Sequence, residues 1–299
     1  MAQHAPSIAP SVPSPGAVLQ LLKPVTWFPP MWALACGIVS TGASLEGRWH
    51  LLIVGIALAG PLICGCSQAV NDWFDRHVDA INEPDRPIPS GRVPGSWGLG
   101  IAIFWTLLSL VVATLLGPWG FAAACFGMLL AWLYSAPPVR LKKNGWYGNS
   151  AVAICYEGLP WFTGAVVVTG MLPDAQIIAI ALLYSAGAHG IMTMNDFKSV
   201  DGDRQMGVDS LPVLLGVDRA ARVACWVKGL PQVGVVALLA YWGATWFALA
   251  VALMLVAQVL FMRRWLEQPK ERAPWYNLTG VNLYVMGMMV SAVALAGLQ

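Results

Sequence analysis

The chain has 299 residues, 58% of them hydrophobic and 11% charged, with a formal net charge of +2 and a mean hydropathy of +0.64. A soluble domain needs far more charge to cover its surface, so the composition excludes a water-exposed globule and points to an integral membrane protein. The small net charge, spread over many short loops, gives no reason to expect a nucleic-acid partner.

Residues 1–22, MAQHAPSIAPSVPSPGAVLQLL, hold four prolines and no Lys or Arg. Without the basic start of a signal peptide they read as a disordered cytoplasmic tail, ahead of a single transmembrane domain over 23–299. Nine apolar stretches follow, near 25–43, 51–72, 97–116, 119–136, 149–169, 175–194, 222–240, 243–262 and 280–298. Each can span a bilayer, which takes about 20 residues. Apolar runs without alternation favour helices over barrel strands, so the expected fold is all-α and polytopic, with about nine transmembrane helices. Fifteen of the seventeen basic residues lie in the N-terminal segment or after helices 2, 4, 6 and 8. By the positive-inside rule this predicts a cytoplasmic N-terminus and an external C-terminus. All six cysteines lie in or beside apolar spans without a CxxC pair and read as packing residues.

The acids cluster. Asp72, Asp75, Asp79, Glu83 and Asp85 follow helix 2; Asp196, Asp201, Asp203, Asp209 and Asp218 follow helix 6. Both clusters begin with Asn-Asp (NDWFDRHVD and NDFKSVDGD), a weak internal duplication that returns the second to the same membrane side as the first. At about 100° per residue, Asn71, Asp75 and Asp79 fall at roughly 0°, 40° and 80° and Asp72 near 100°. Unpaired carboxylates on one face would repel, whereas carboxylate and amide oxygens together suit a hard ion such as Mg²⁺. In the second cluster Asp196, Ser199 and Asp203 share a stripe if the helix persists through Gly202, and Asp201 points elsewhere. His189 lies on that stripe two turns deeper.

Mg²⁺ is usually held by one or two carboxylates plus substrate phosphate oxygens. Two half-sites beside Arg86, Arg140, Lys142 and Lys198 therefore suggest a diphosphate, with Asn71, Asn195 and Tyr134 as further contacts. The rest of the substrate is expected to be apolar, because the site opens onto a helical bundle. An isoprenyl diphosphate meets both demands. Its departing diphosphate would leave cationic character at C1 that an aromatic face, such as that of Tyr156, can stabilise. Glu157 and His189 are polar groups inside the membrane, where a functional role competes with a hydrogen bond between packed helices.

These residues carry a resemblance. NDxxDxxxD after helix 2, an acidic motif after helix 6 and nine spans resemble the UbiA superfamily of intramembrane prenyltransferases over residues 20–299. Within it, NDWFDRHVDAINEPDRPIPSGRV, YSAPPVRLKKNGWYGN and NDFKSVDGDRQMGVDSLPVLLG look like the chlorophyll and bacteriochlorophyll synthases. The resemblance implies a bundle around a central cavity in a bacterial inner membrane, with the site on the cytoplasmic side. It implies that a propionate of bacteriochlorophyllide or chlorophyllide attacks C1 of geranylgeranyl or phytyl diphosphate, with Mg²⁺, two ions expected, bound to the diphosphate. A propionate is already ionised at neutral pH and needs no general base, and no nucleophile–base–acid triad is visible.

By position, Asn71, Asp75 and Asp79 match the first metal–diphosphate motif, with Asp72 beside them, and Asp203 matches the last acid of the second. Many relatives have D-x-x-x-D there; this chain has Ser199 in the first acid's place, so either Asp196 supplies a ligand or a water remains on the ion. Glu157, His189 and Tyr156 are candidates for the tetrapyrrole or the cation, His189 through the chlorin's central Mg²⁺. Membrane lipids surround the protein, and pigment-pathway or membrane-insertion proteins are the protein partners to look for. The competing readings are a prenyltransferase for a quinone or haem precursor, a membrane cation transporter, a non-catalytic pigment-binding protein, and solvated loops with capping acids.

Overall fold

A computed structural model describes residues 12–299, and among these every regular element is a helix. The first is unexpected. Pro15–Leu22 forms α1, capped by Ser14, whose Oγ accepts a bond from the Ala17 amide at 3.2 Å. The expected disordered tail is therefore corrected over this stretch; residues 1–11 lie outside the described residues. Ser14 followed by Pro15 is a helix-start signal, and Ala17, Leu21 and Leu22 bury one face against the second membrane helix.

The membrane helices follow as α2 (Phe28–Ser40), α3 (Trp49–Asn82), α4 (Trp97–Ala113), α5 (Gly117–Ser135), α6 (Gly145–Thr169) and α7 (Ala175–Asp196). Two short helices, α8 (Val200–Gln205) and α9 (Leu211–Leu215), lead to α10 (Val217–Tyr241), α11 (Thr245–Trp265) and α12 (Pro269–Ala296). Among the described residues, seven continuous helical stretches are long and apolar enough to cross a membrane. One of them, Trp97–Ser135, breaks at Gly117, whose φ of 76° no helix accommodates, and folds back as α4 and α5. With the shorter α2, nine rods among the described residues build the bundle of an integral membrane protein.

The rods pack largely in chain order: α3 packs on α4 and α5, α5 on α6, α6 on α7, α7 on α10, and α10 to α12 follow; α2 packs between α6 and α12 and also touches α3. At the α2–α6 crossing the backbones nearly touch. A Cβ on Gly164 would sit 2.1 Å from the Leu34 carbonyl oxygen, and one on Gly37 1.9 Å from that of Trp161. Small residues let membrane helices approach this closely, where packing, not water, drives association. In the core beside this crossing Trp161 stacks on Tyr184, which meets Tyr284 edge to face.

Three membrane helices contain a π turn: Leu58–Cys64 in α3, Ile154–Gly158 in α6 and Asn277–Val281 in α12. Such turns bulge the helix and free backbone groups, and they recur at functional sites. The first two present side chains to the central cavity.

Candidate active site

At 34 residues α3 is about 51 Å long, well beyond a hydrocarbon core of about 30 Å. Its last turns stand clear of the apolar layer, and they carry the first acidic motif. There the expected stripe divides. Asn71 turns toward α5, donating from Nδ2 to Ser135 Oγ at 3.2 Å. Asp75 sits beside it and receives Lys142 Nζ at 2.6 Å and Arg140 Nη2 at 3.2 Å. Asp72, only 1% exposed, faces the other flank and pairs with Lys23 Nζ at 2.6 Å. Arg86 Nη1 bridges Asp72 at 3.3 Å and Asp79 at 2.9 Å, while the same guanidinium grips Glu83 through Nε and Nη2. The cause is helical: a face 100° wide is too broad for all four groups to meet at one point. Among the described residues no three acidic, His or Cys side chains close around a common centre.

The two non-glycine residues with positive φ among the described residues are Lys23 (47°) and Arg140 (43°). Both are ion-pair partners of this motif. Left-handed backbone at a bulky residue is unfavourable and tends to mark sites where a side chain must be aimed. Burial pushes the Lys142 ammonium below the ordinary lysine range, offset in part by the charge and hydrogen bond of Asp75. For Arg86, burial also opposes the charge, but the Glu83 hydrogen bond and the charges of Asp72 and Asp79 outweigh it and hold the guanidinium above its usual value.

The second motif departs from the expected stripe. α7 ends at Asp196, the chain turns through Phe197–Ser199, and α8 begins at Val200, so the helix stops before Gly202 is reached. Asp196 accepts from Asn149 Nδ2 at 3.0 Å, and Ser199 Oγ donates to Asp203 Oδ2 at 3.0 Å. Asp201 points away, to Lys270 at 3.3 Å. Asn195 accepts from Asn277 Nδ2 at 3.0 Å, which ties the motif to the π turn of α12. An isolated bridge between Asn144 and Asp209 joins the Arg140–Lys143 loop to the second motif.

Between the motifs lies a cavity of about 380 Å³. Asn71, Tyr134, Asn149, Asn195, Asp196 and Lys198 line its polar end, and Tyr134 feels the charges of Asp75, Asp196 and Asp203 together. Deeper in, Tyr156 lines it, its hydroxyl accepting from Gln68 Nε2 at 3.3 Å. A second, apolar space continues past Ala59, Ile63, Gly127 and Cys155, which border both, toward Leu159 and Thr163. Glu157 and His189 border neither space. Both are buried, with Glu157 Oε2 and both His189 ring nitrogens lacking a hydrogen bond among the described residues; the His189 ring lies 5.3 Å from that of Trp146.

Sequence reasoning passed over Lys23, Ser135, Asn149 and Asn277. A polar residue within an apolar span was the available signal for Asn149; for Lys23, nothing local marks its partner 49 residues on. Lys228 is fully buried, with Nζ at 2.5 Å from Gln258 Oε1 and 2.8 Å from the Tyr276 hydroxyl. It clasps α10, α11 and α12.

The arrangement offers hard oxygen donors from two sides, basic groups beside them and a greasy channel beneath, which suits a diphosphate ester with an apolar tail. Comparison with known proteins agrees. Residues 25–288 match the UbiA prenyltransferase family. The chain is 57% identical to the bacteriochlorophyll synthase 33 kDa chain of Cereibacter sphaeroides, over 97% of this chain and 96% of that one. It is 38% identical to a chloroplastic chlorophyll synthase of Oryza sativa, over 92% of this chain and 76% of that protein. The fold is shared with a UbiA homolog from Archaeoglobus fulgidus bound to GPP and Mg²⁺, with a TM-score of 0.67 at 20% identity, covering 94% and 99% of the two chains.

Proposed function

The chain belongs to the UbiA prenyltransferase family, and on that premise we propose that it joins the propionate of bacteriochlorophyllide a, or of chlorophyllide a, to a geranylgeranyl or phytyl group. Its 57% identity to a bacteriochlorophyll synthase over nearly the whole length carries this reading. A propionate oxygen forms a bond to C1 of the prenyl diphosphate, the bond from C1 to the diphosphate oxygen breaks, and diphosphate leaves with its electron pair. The acceptor is ionised at neutral pH, so the protein has only to hold the two substrates in line and favour departure of the diphosphate.

The residues divide that work. Tyr134, Asn195 and Lys198 border the polar end of the cavity and would bind the diphosphate. Arg140 and Lys142, now on Asp75, have a second anion within reach once diphosphate enters. The main cavity and the apolar space that extends it past Gly127 would together take the prenyl tail. The oxygen donors fit Mg²⁺: Asn71, Asp75 and Asp79 on one side and Asp196 and Asp203 on the other would hold two ions, few protein ligands sufficing because Mg²⁺ keeps water and phosphate oxygens. When bound, Mg²⁺ supplies charge neutralisation for the leaving diphosphate. Asp72 acts through Arg86, which it orients together with Lys23. Tyr156 offers an aromatic wall to the cationic C1. We assign Glu157 and His189 to the tetrapyrrole side; because both border neither space, the packing of Trp146 on His189 would have to open for a pigment to reach the imidazole. The basic loops support a membrane orientation with this site facing the cytoplasm of a bacterial inner membrane.

The test supplies purified protein with bacteriochlorophyllide or chlorophyllide and each prenyl diphosphate, with and without Mg²⁺, and separates the pigments by chromatography. Esterified pigment that requires Mg²⁺ is the expected result. Prenylation of a quinone or haem precursor alone would overturn the tetrapyrrole assignment.

A further inference from the structure

A second apolar groove of about 280 Å³ runs along the outer surface between α10 and α11 and shares no residue with the cavity described above. On α10 it follows Arg222, Trp226, Gly229 and Val233, one helical face about 16 Å long. That is roughly half the hydrocarbon thickness of a bilayer, the depth of one leaflet. The groove is open because Gly229 has no side chain, and a Cβ built there would meet nothing within 4 Å.

Its two arginines stand at one end. Arg222 lies near the start of α10 and Arg263 near the end of the antiparallel α11, so both mark the membrane face that carries the acidic motifs. Both are exposed, and neither makes an ion pair or hydrogen bond among the described residues. Asp218, one turn before Arg222, does not pair with it, and nearby Glu267 is taken by Arg272. Two unneutralised guanidinium groups above an apolar slot one leaflet deep complement an anionic headgroup with an acyl chain. A neutral lipid would fill the slot but leave both charges unmet.

We propose that this groove binds an anionic phospholipid, its phosphate on Arg222 and Arg263 and one acyl chain along Gly229. The full chain, reconstituted in nanodiscs of equal phosphatidylglycerol and phosphatidylcholine, would be released and its retained lipids counted by native mass spectrometry. Phosphatidylglycerol should be retained selectively. Arg222→Gln with Arg263→Gln should weaken that retention roughly thirtyfold, since each surface arginine contributes about fivefold. The corresponding double lysine variant should keep most of it. Gly229→Leu, which fills the slot and leaves both charges, should also release the lipid. Equal retention of the two lipids, or undiminished phosphatidylglycerol on the double Gln variant, would overturn the proposal. So would crosslinking between two copies of the chain through Trp226.

Discussion

At the first acidic segment the helix runs on to Asn82, and Asp72, Asp75 and Asp79 each rest on a basic side chain. At the second the helix stops at Asp196, which leans on the amide of Asn149, and Asp203 takes only the Ser199 hydroxyl. The two segments begin with the same Asn-Asp pair but hold their charge differently. In the first, a dication must compete with Lys142, Arg140 and Arg86; in the second, Asp196 and Asp203 contact neutral donors, and the basic partner Lys270 lies on Asp201, which points away. A cation should therefore settle first beside Asp196, and the first segment should engage when an incoming diphosphate offers Arg140 and Lys142 another partner.

The largest effect is expected where that exchange takes place. Asp75→Asn should lower turnover by about a hundred- to a thousandfold, with pigment binding, followed by absorbance, preserved. Full activity in this variant would remove the first segment from the reaction. Asp196→Asn should cost on the order of a hundredfold and, unlike Asp75→Asn, should also weaken Mg²⁺ binding in the absence of diphosphate, as read by calorimetry. Asn149→Ala, which removes only the group that orients Asp196, should lose about tenfold; a loss as large as that of Asp196→Asn would mean that Asn149 touches substrate itself.

Smaller effects refine the contrast. Because burial favours its neutral form, Lys142 should lose its proton at lower pH than an ordinary lysine. Its positive charge is present below that pH and is lost as pH rises through it, so the alkaline limb of the rate profile should come early. Arginine stays charged throughout, and Lys142→Arg should move that limb to higher pH. Ser199→Asp, which places a second carboxylate four residues before Asp203, should lower the Mg²⁺ requirement by about a few-fold. An increase would mean that mutual repulsion outweighs the added ligand.

The helical bundle and the location of the site could be read from the sequence because both depend on local quantities. Apolar run length fixes the spans, and Asn-Asp with acids at helical spacing marks the two ends. Partner choice is not local. Lys23 reaches Asp72 across 49 residues and Asn277 reaches Asn195 across 82, and neither pairing leaves a trace in a window of sequence. The division of the first stripe escaped for a different reason. The wheel placed Asp72 near 100°, but only the neighbouring α1 segment and Arg86 decide that this angle faces away from the cavity. The tail was misread because its prolines outweighed Ser14-Pro15, a helix start whose apolar face needs α3 to bury it.

The π turns have a consequence for the chain's tolerance of insertions and deletions. Each holds one residue more than an α turn would, so the helix beyond it is about 100° out of phase with the helix before it. Deleting one residue within Ile154–Gly158 would remove the surplus residue from α6, although Pro160, with no amide hydrogen to donate, would still leave a carbonyl of that turn unpaired. The deletion would also rotate Leu159–Thr169 by that angle, carrying Gly164 off the Leu34 carbonyl and a larger side chain into its place. The surplus residue acts as a phase shifter: upstream, Asn149 faces the cavity, and downstream, Gly164 faces α2, a pairing that one uninterrupted helical repeat would not deliver.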